Sequence, residues 1–184
     1  MILFINACVR KGSRTARLAE RFLSKTNKPY EEIRLYDMEF PAVDEDYLTR
    51  RDLLISEGKF DDPTFDPARR FAEAEEIVIA APYWDLSFPS VLKRYLEQIN
   101  AVGVTFYYTP EGVPTGLCRA KRLTYVTTAG GEFAPDEYGF GYVRALARNF
   151  WGIPEVGLIS AAGLDIAGAD AEEILRRAYE EYGI

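Results

Sequence analysis

The chain has 184 residues, 48% of them hydrophobic and 14% aromatic, enough to bury a full core at a length that suits a single domain spanning residues 1–184. A net charge of −7 argues against a protein that holds nucleic acid by neutralising many phosphates. The absence of histidine excludes Ser-His-Asp and Cys-His catalysis, and the only two cysteines, Cys8 and Cys118, lack metal-ligand spacing, so neither a metal site nor a disulfide framework is expected.

Ile2, Leu3, Phe4 and Ile5 form a short apolar run of the kind buried on both faces of a parallel sheet, and the spacing predicts the first and central strand there. After Asn6 the chain turns to Arg10, Lys11, Gly12, Ser13, Arg14 and Thr15, and apolar residues then return at helical spacing through Leu18, Ala19, Phe22 and Leu23. Arg10, Lys11, Arg14 and Arg17 fall within eight residues of an otherwise acidic chain. Cations at a helix N-terminus oppose the macrodipole, so the loop reads as an anion site in which backbone N–H groups and small hydroxyls face a phosphate.

Tyr30 to Leu35 reads as an edge strand. Tyr36 to Asp66 reads mostly as acidic connection, with a helical patch from Asp44 to Glu57. Pro67 opens a helix, Ile77 to Ala81 is a second clean apolar strand stopped by Pro82, and Pro89 to Asn100 is a further helix. Gly103–Thr109 and Leu117–Lys121 flank P-E-G-V-P-T-G as the arms of a small hairpin. Arg122–Thr128 is a strand, Tyr142–Phe150 a helix, Val156–Ser160 the last strand, and Ala171–Tyr182 a helix capped by Asp170. The alternation predicts an α/β sandwich of three layers, with five parallel strands in order 2-1-3-4-5 and the hairpin as an excursion after the Pro89–Asn100 helix. No apolar run exceeds strand length and Met1 leads straight into a strand, so neither a membrane span nor a targeting peptide is expected, and the chain reads as cytoplasmic.

Parallel connectivity brings the ends of the first, third and fourth sheet strands to one rim, where such sheets bind ligands. Cys8–Thr15 suits a phosphate, Pro82–Phe88 offers Tyr83 and Trp84 as flat surfaces, and Thr127–Glu132 offers Thr128, Gly130 and Gly131 as backbone that a ligand can approach closely. A phosphate grip, an aromatic wall and a backbone rail together describe a cradle for flavin mononucleotide.

Three stretches also carry a family likeness. C-V-R-K-G-S-R-T-A-R-L at Cys8–Leu18 is similar to a phosphate loop S-x-R-x-x-S-x-[ST]-x-x-L, and A-A-P-Y-W-D-L-S-F-P-S-V-L-K-R-Y-L-E at Ala80–Glu97 is similar to A-P-M-Y-N-F-x-x-P-x-x-L-K. G-V-T-F-Y-Y-T-P-E-G-V-P-T-G-L at Gly103–Leu117 and T-T-A-G-G at Thr127–Gly131 complete the set. By these the chain resembles the flavodoxin-like NAD(P)H-dependent FMN reductases, in their azoreductase and NAD(P)H:quinone oxidoreductase branch. The resemblance implies phosphate contacts from Arg10, Ser13, Arg14 and Thr15, and an isoalloxazine ring lying along Pro82, Tyr83, Trp84, Asp85 and Leu86. It implies hydride transfer from NADH or NADPH through FMN to a quinone or azo acceptor, with no catalytic side chain. It also implies a homodimer with the site at the interface, for which Tyr138, Phe140 and Tyr142 are candidates to form a roof. Two positions depart from the pattern: Cys8 stands for the first-loop serine and Asp85 for the second-loop asparagine.

Two rivals share these features. Cys8 and Arg14 fit the C-x5-R-[ST] pattern of low-molecular-weight phosphatases and arsenate reductases, in which a thiolate is the nucleophile. The acid loop those enzymes require is poorly matched by Asp62-Pro63-Thr64 and Asp66-Pro67-Ala68, which lack the aromatic residue. A flavodoxin-type electron carrier is the other rival, and its T/S-x-T-G-x-T loop is absent.

Overall fold

A computed structural model describes residues 1–184. The apolar runs form a five-stranded parallel sheet: β1 (Ile2–Asn6), β2 (Tyr30–Arg34), β3 (Glu76–Ala80), β6 (Arg122–Thr128) and β7 (Glu155–Ala161). Their order is β2-β1-β3-β6-β7, the doubly wound arrangement predicted, with β4 (Phe106–Tyr108) and β5 (Pro114–Gly116) as a separate antiparallel pair. β1 is fully buried and interior, but β3 holds the centre of the sheet, correcting the expectation that the first strand would be central.

Strands buried on both faces need helices on both sides, and two cores result. One face packs under α1 (Arg14–Thr26) and α6 (Ala171–Glu181), joining Ile2, Phe4, Val78 and Val126 to Leu18, Leu23 and Leu175. The other packs under α3 (Asp66–Glu73), α4 (Ser90–Ile99) and α5 (Phe140–Leu146), where Leu3, Ile5, Ile79 and Tyr125 meet Phe71, Leu92, Leu96 and Val143.

The helical patch expected in the acidic connection is present as a regular helix, α2 (Glu45–Ser56), capped by Asp44 and anchored by buried Leu54. Two elements differ from expectation. The second hairpin arm is Pro114–Gly116, inside the stretch read as the turn, because Gly112 (φ +80°) and the Thr109–Val113 bond close a tighter loop. The helix expected at Tyr142–Phe150 starts at Phe140 and widens after Leu146 into a π-type turn, Ala147–Trp151. That widening seats the Trp151 indole in the core, where Nε1 donates to Asn100 Oδ1 at 2.8 Å and the ring lies edge-on to Phe71. The β4–β5 hairpin rests directly on this turn at Gly116.

Candidate active site

The carboxyl ends of the strands enclose a cavity of about 380 Å³, within the range of small-molecule sites. Its floor is the first loop, Val9 to Thr15; one wall is Pro82, Tyr83 and Trp84, and another is Thr128, Ala129 and Gly130. The three predicted loops therefore converge. A fourth, which the sequence reading missed, supplies Leu164 and Asp165 from beyond β7. The signal was available, since parallel connectivity brings the end of the last strand to the same rim.

The first loop is built to present donors. Gly12, at φ +71°, turns the chain into α1, and Ser13 caps the helix by accepting from the Ala16 N–H. The N–H groups of Arg14 and Thr15, at the first two positions of α1, find no acceptor within the chain, and the positive helix end stands behind them. Of the four cations, Arg17 is paired bidentately with Glu172 (2.7 and 2.6 Å) and Arg14 bonds Asp165 through Nη1 at 2.6 Å. Arg10 and Lys11 remain exposed at the cavity edge without an acidic partner. This end of the cavity fits a phosphate group.

Thr15 is nearly fully buried, and its hydroxyl shares a 2.6 Å hydrogen bond with that of Thr128. The bond ties the first loop to the third. The third and fourth loops continue as a ladder of main-chain bonds in which the N–H groups of Gly163, Leu164 and Asp165 donate to Gly131, Ala129 and Gly130 at 2.9–3.2 Å. Gly130 lines the cavity, whereas Gly131 does not.

Asp85 and Leu86 form the tip of a two-residue turn closed by paired bonds between Trp84 and Ser87 (3.1 and 2.7 Å). Both tip residues have positive φ, +51° and +66°, an unfavourable region for leucine. The turn holds Asp85 and Leu86 outside the cavity lining and leaves Leu86 exposed beside Trp84. Tyr83 Oη donates to the Pro135 carbonyl at 3.1 Å and Ser87 Oγ to that of Tyr138 at 3.2 Å, pinning the Glu132–Gly139 segment to this turn. Desolvation, reinforced by Glu137, raises the Tyr83 phenol above its ordinary range, so it stays a neutral donor.

The three roof candidates divide. Tyr138 is exposed at the rim, and Tyr142 is half-buried against Phe88. Phe140 is buried beside Tyr125 and lines a separate cavity of about 100 Å³ behind Tyr83, so it faces the core rather than the mouth.

Cys8 does not line the main cavity. It is buried, its Sγ faces the Ala80 carbonyl at 3.8 Å, and burial pushes the thiol up to about 11. A phosphatase nucleophile requires the opposite shift. Asp62 caps Thr64 and Asp66 pairs with Arg69, and neither reaches the cavity.

The family model described as the flavodoxin-like fold matches residues 1–183. The chain belongs to this family. Among family relatives, an FMN-dependent NADH:quinone oxidoreductase of Clostridium beijerinckii is 36% identical over 191 residues, covering 98% of this chain and 94% of that protein. One of the same name from Lachnoclostridium phytofermentans is 34% identical over 192 residues, covering 100% and 96%. The solved azoreductase from Bacillus anthracis str. Sterne superposes with a TM-score of 0.83 at 28% identity, covering 98% of this chain and 95% of that one. An FMN-dependent NADH-azoreductase from Bacillus anthracis str. Ames Ancestor, solved in complex with FMN, gives 0.80 at 28% identity, covering 98% and 94%. No helix here is long and apolar enough to cross a membrane.

Proposed function

We propose that this chain is an FMN-dependent NADH:quinone oxidoreductase with azoreductase-type activity. The observation that carries the reading is the meeting of unpaired helix N-terminal donors, two aromatic residues and a main-chain rail in one cavity, in a chain over a third identical to an enzyme so named. The cavity fits the cofactor on chemistry: donors and two unpartnered cations at one end, flat apolar surface at the other.

The phosphate would be held by the N–H groups of Arg14 and Thr15 and the side chains of Arg10, Ser13 and Arg14. Pro82, Tyr83 and Trp84 would flank the ring on one side and Thr128 and Gly130 on the other, with Asp85, Leu86 and Gly131 outside the lining. When bound, FMN supplies the hydride relay between nicotinamide and acceptor, so the chain needs no titrating side chain of its own. What the residues contribute is orientation and exclusion of water. The Thr15–Thr128 bond and the loop ladder fix the walls relative to one another, and Tyr83 holds the Glu132–Gly139 segment across the rim. Asp85, in place of the usual amide, lies outside the cavity lining, so its charge would reach a bound ring only from the rim, and a carboxylate could not donate a hydrogen bond to it.

The active form is a homodimer whose partner closes the mouth, a reading supported by the exposed apolar side chains around it. Val9 and Trp84 line the cavity and Leu86, Phe133 and Tyr138 belong to the adjoining loop segments, and all five are 37–79% exposed. The 184 residues act as one domain, in the cytoplasm, where reduced nicotinamide is available.

Fluorescence titration tests the cofactor assignment: FMN emission is expected to be quenched with one-to-one stoichiometry, and unquenched emission at micromolar protein overturns it. A flavodoxin-type carrier would pass that test and then fail to accept hydride from NADH. The relatives' names favour the enzyme.

A further inference from the structure

The phosphate end of the cavity contains a carboxylate, and that is unexpected in a site for an anion. Asp165 lines the cavity and accepts from Arg14 Nη1 at 2.6 Å. Its position is fixed from behind. The Asp165 N–H donates to the Gly130 carbonyl at 2.9 Å, between the bonds that Gly163 and Leu164 make to the same loop. Its side chain sits in the space that a Cβ at Gly130 would fill, since that atom would lie 2.5 Å from Asp165 Oδ2 and 3.2 Å from its Cγ. The glycine of the third loop, the arginine of the first and the aspartate of the fourth thus form one stack.

Arg14 occupies the first position of α1, where the helix dipole repels a cation and a long side chain loses little by swinging into water. Asp165 opposes both tendencies. The bond engages Nη1 only and leaves Nη2 and Nε without an acceptor in the chain. With Arg17 neutralised by Glu172 and Arg14 by Asp165, the uncompensated charge at this end is that of Arg10 and Lys11, which matches a phosphate monoester dianion.

We infer that Asp165 is a positioning residue for phosphate recognition: it holds the Arg14 guanidinium over the N-terminus of α1 with its remaining donors free, and so makes the site selective for the phosphorylated flavin over the unphosphorylated one. This rests on the FMN assignment above.

The test is a double-mutant cycle on Asp165→Asn and Arg14→Gln, read as dissociation constants for FMN and for riboflavin by fluorescence quenching. Asp165→Asn is expected to weaken FMN about tenfold and to change riboflavin less than twofold. In the Arg14→Gln background the same substitution is expected to change FMN binding less than twofold. Asp165→Glu, which restores the charge, is expected to recover part of the loss. Unchanged or tighter FMN binding by Asp165→Asn overturns the inference, because the carboxylate would then be inert or competing with the phosphate. An equal loss for both flavins also overturns it, by showing that Asp165 only supports the loop. If the unsubstituted protein quenches neither flavin, the cofactor assignment itself has failed.

Discussion

Replacing Thr128 by Val removes one hydroxyl from the buried Thr15–Thr128 pair while keeping the side-chain shape. Thr15 and Thr128 are 1% and 9% exposed and their oxygens lie 2.6 Å apart, so the survivor loses its partner where little water can replace it. A buried polar group left without a partner costs about 1–3 kcal/mol, whereas replacing both partners by apolar groups of the same shape is nearly neutral. Thr128→Val and Thr15→Val should therefore each destabilise by about 1–2 kcal/mol, and the double variant by less than about 1 kcal/mol. For a domain of this size, each single substitution corresponds to a fall in melting temperature of about 2–8 °C. Urea unfolding of the four proteins, followed by circular dichroism, measures all the terms. Additive single effects, with the double variant as unstable as their sum, would refute the claim that the two hydroxyls satisfy each other across the junction of the first and third loops.

Gly116→Ala should destabilise by about 3 kcal/mol or more, because the new Cβ would lie 2.1–2.3 Å from the backbone of Trp151 and Gly152, which cannot yield as a flexible side chain does; unchanged stability would mean the hairpin does not rest on the π-type turn. Leu86→Gly should stabilise by about 1 kcal/mol by relieving a left-handed leucine, and a loss of stability in the same unfolding experiment would contradict the strained-turn reading. Cys8, with its thiol raised from 9.0 to about 11, should be alkylated roughly a hundredfold more slowly at pH 8 in the native protein than in urea, and equal rates would return it to consideration as a nucleophile. Sedimentation should show twice the chain mass, with Tyr138→Asp and Phe133→Asp shifting it towards the monomer; a monomer at all concentrations would remove the proposed closure of the mouth.

The sheet was legible because period and length decide it: Ile2–Ile5 and Ile77–Ala81 are too short for helices and too apolar for edges, and each is followed by a helix. The three predicted loops followed from topology, which needs no side-chain detail. What stayed hidden depends on tertiary contacts. Thr15 and Ser13 look alike as phosphate donors in sequence, and only the approach of Thr128 shows that one hydroxyl bonds inward. Phe140 and Tyr138 look alike as roof aromatics, yet the start of α5 turns the first into the core and leaves the second in solvent. Gly130 reads as room for a ligand, although Asp165 fills part of that room. Leu86 gives no hint of a left-handed turn, because a local propensity for glycine is overridden by the pairing of Trp84 with Ser87.

An anaerobic reduction reaches the central claim most directly. Protein loaded with FMN and freed of excess cofactor is mixed with NADH and then with one equivalent of a quinone, while the yellow absorbance is followed. The account predicts that the colour is lost with NADH and returns with the quinone. Loaded protein that stays yellow in excess NADH would contradict it.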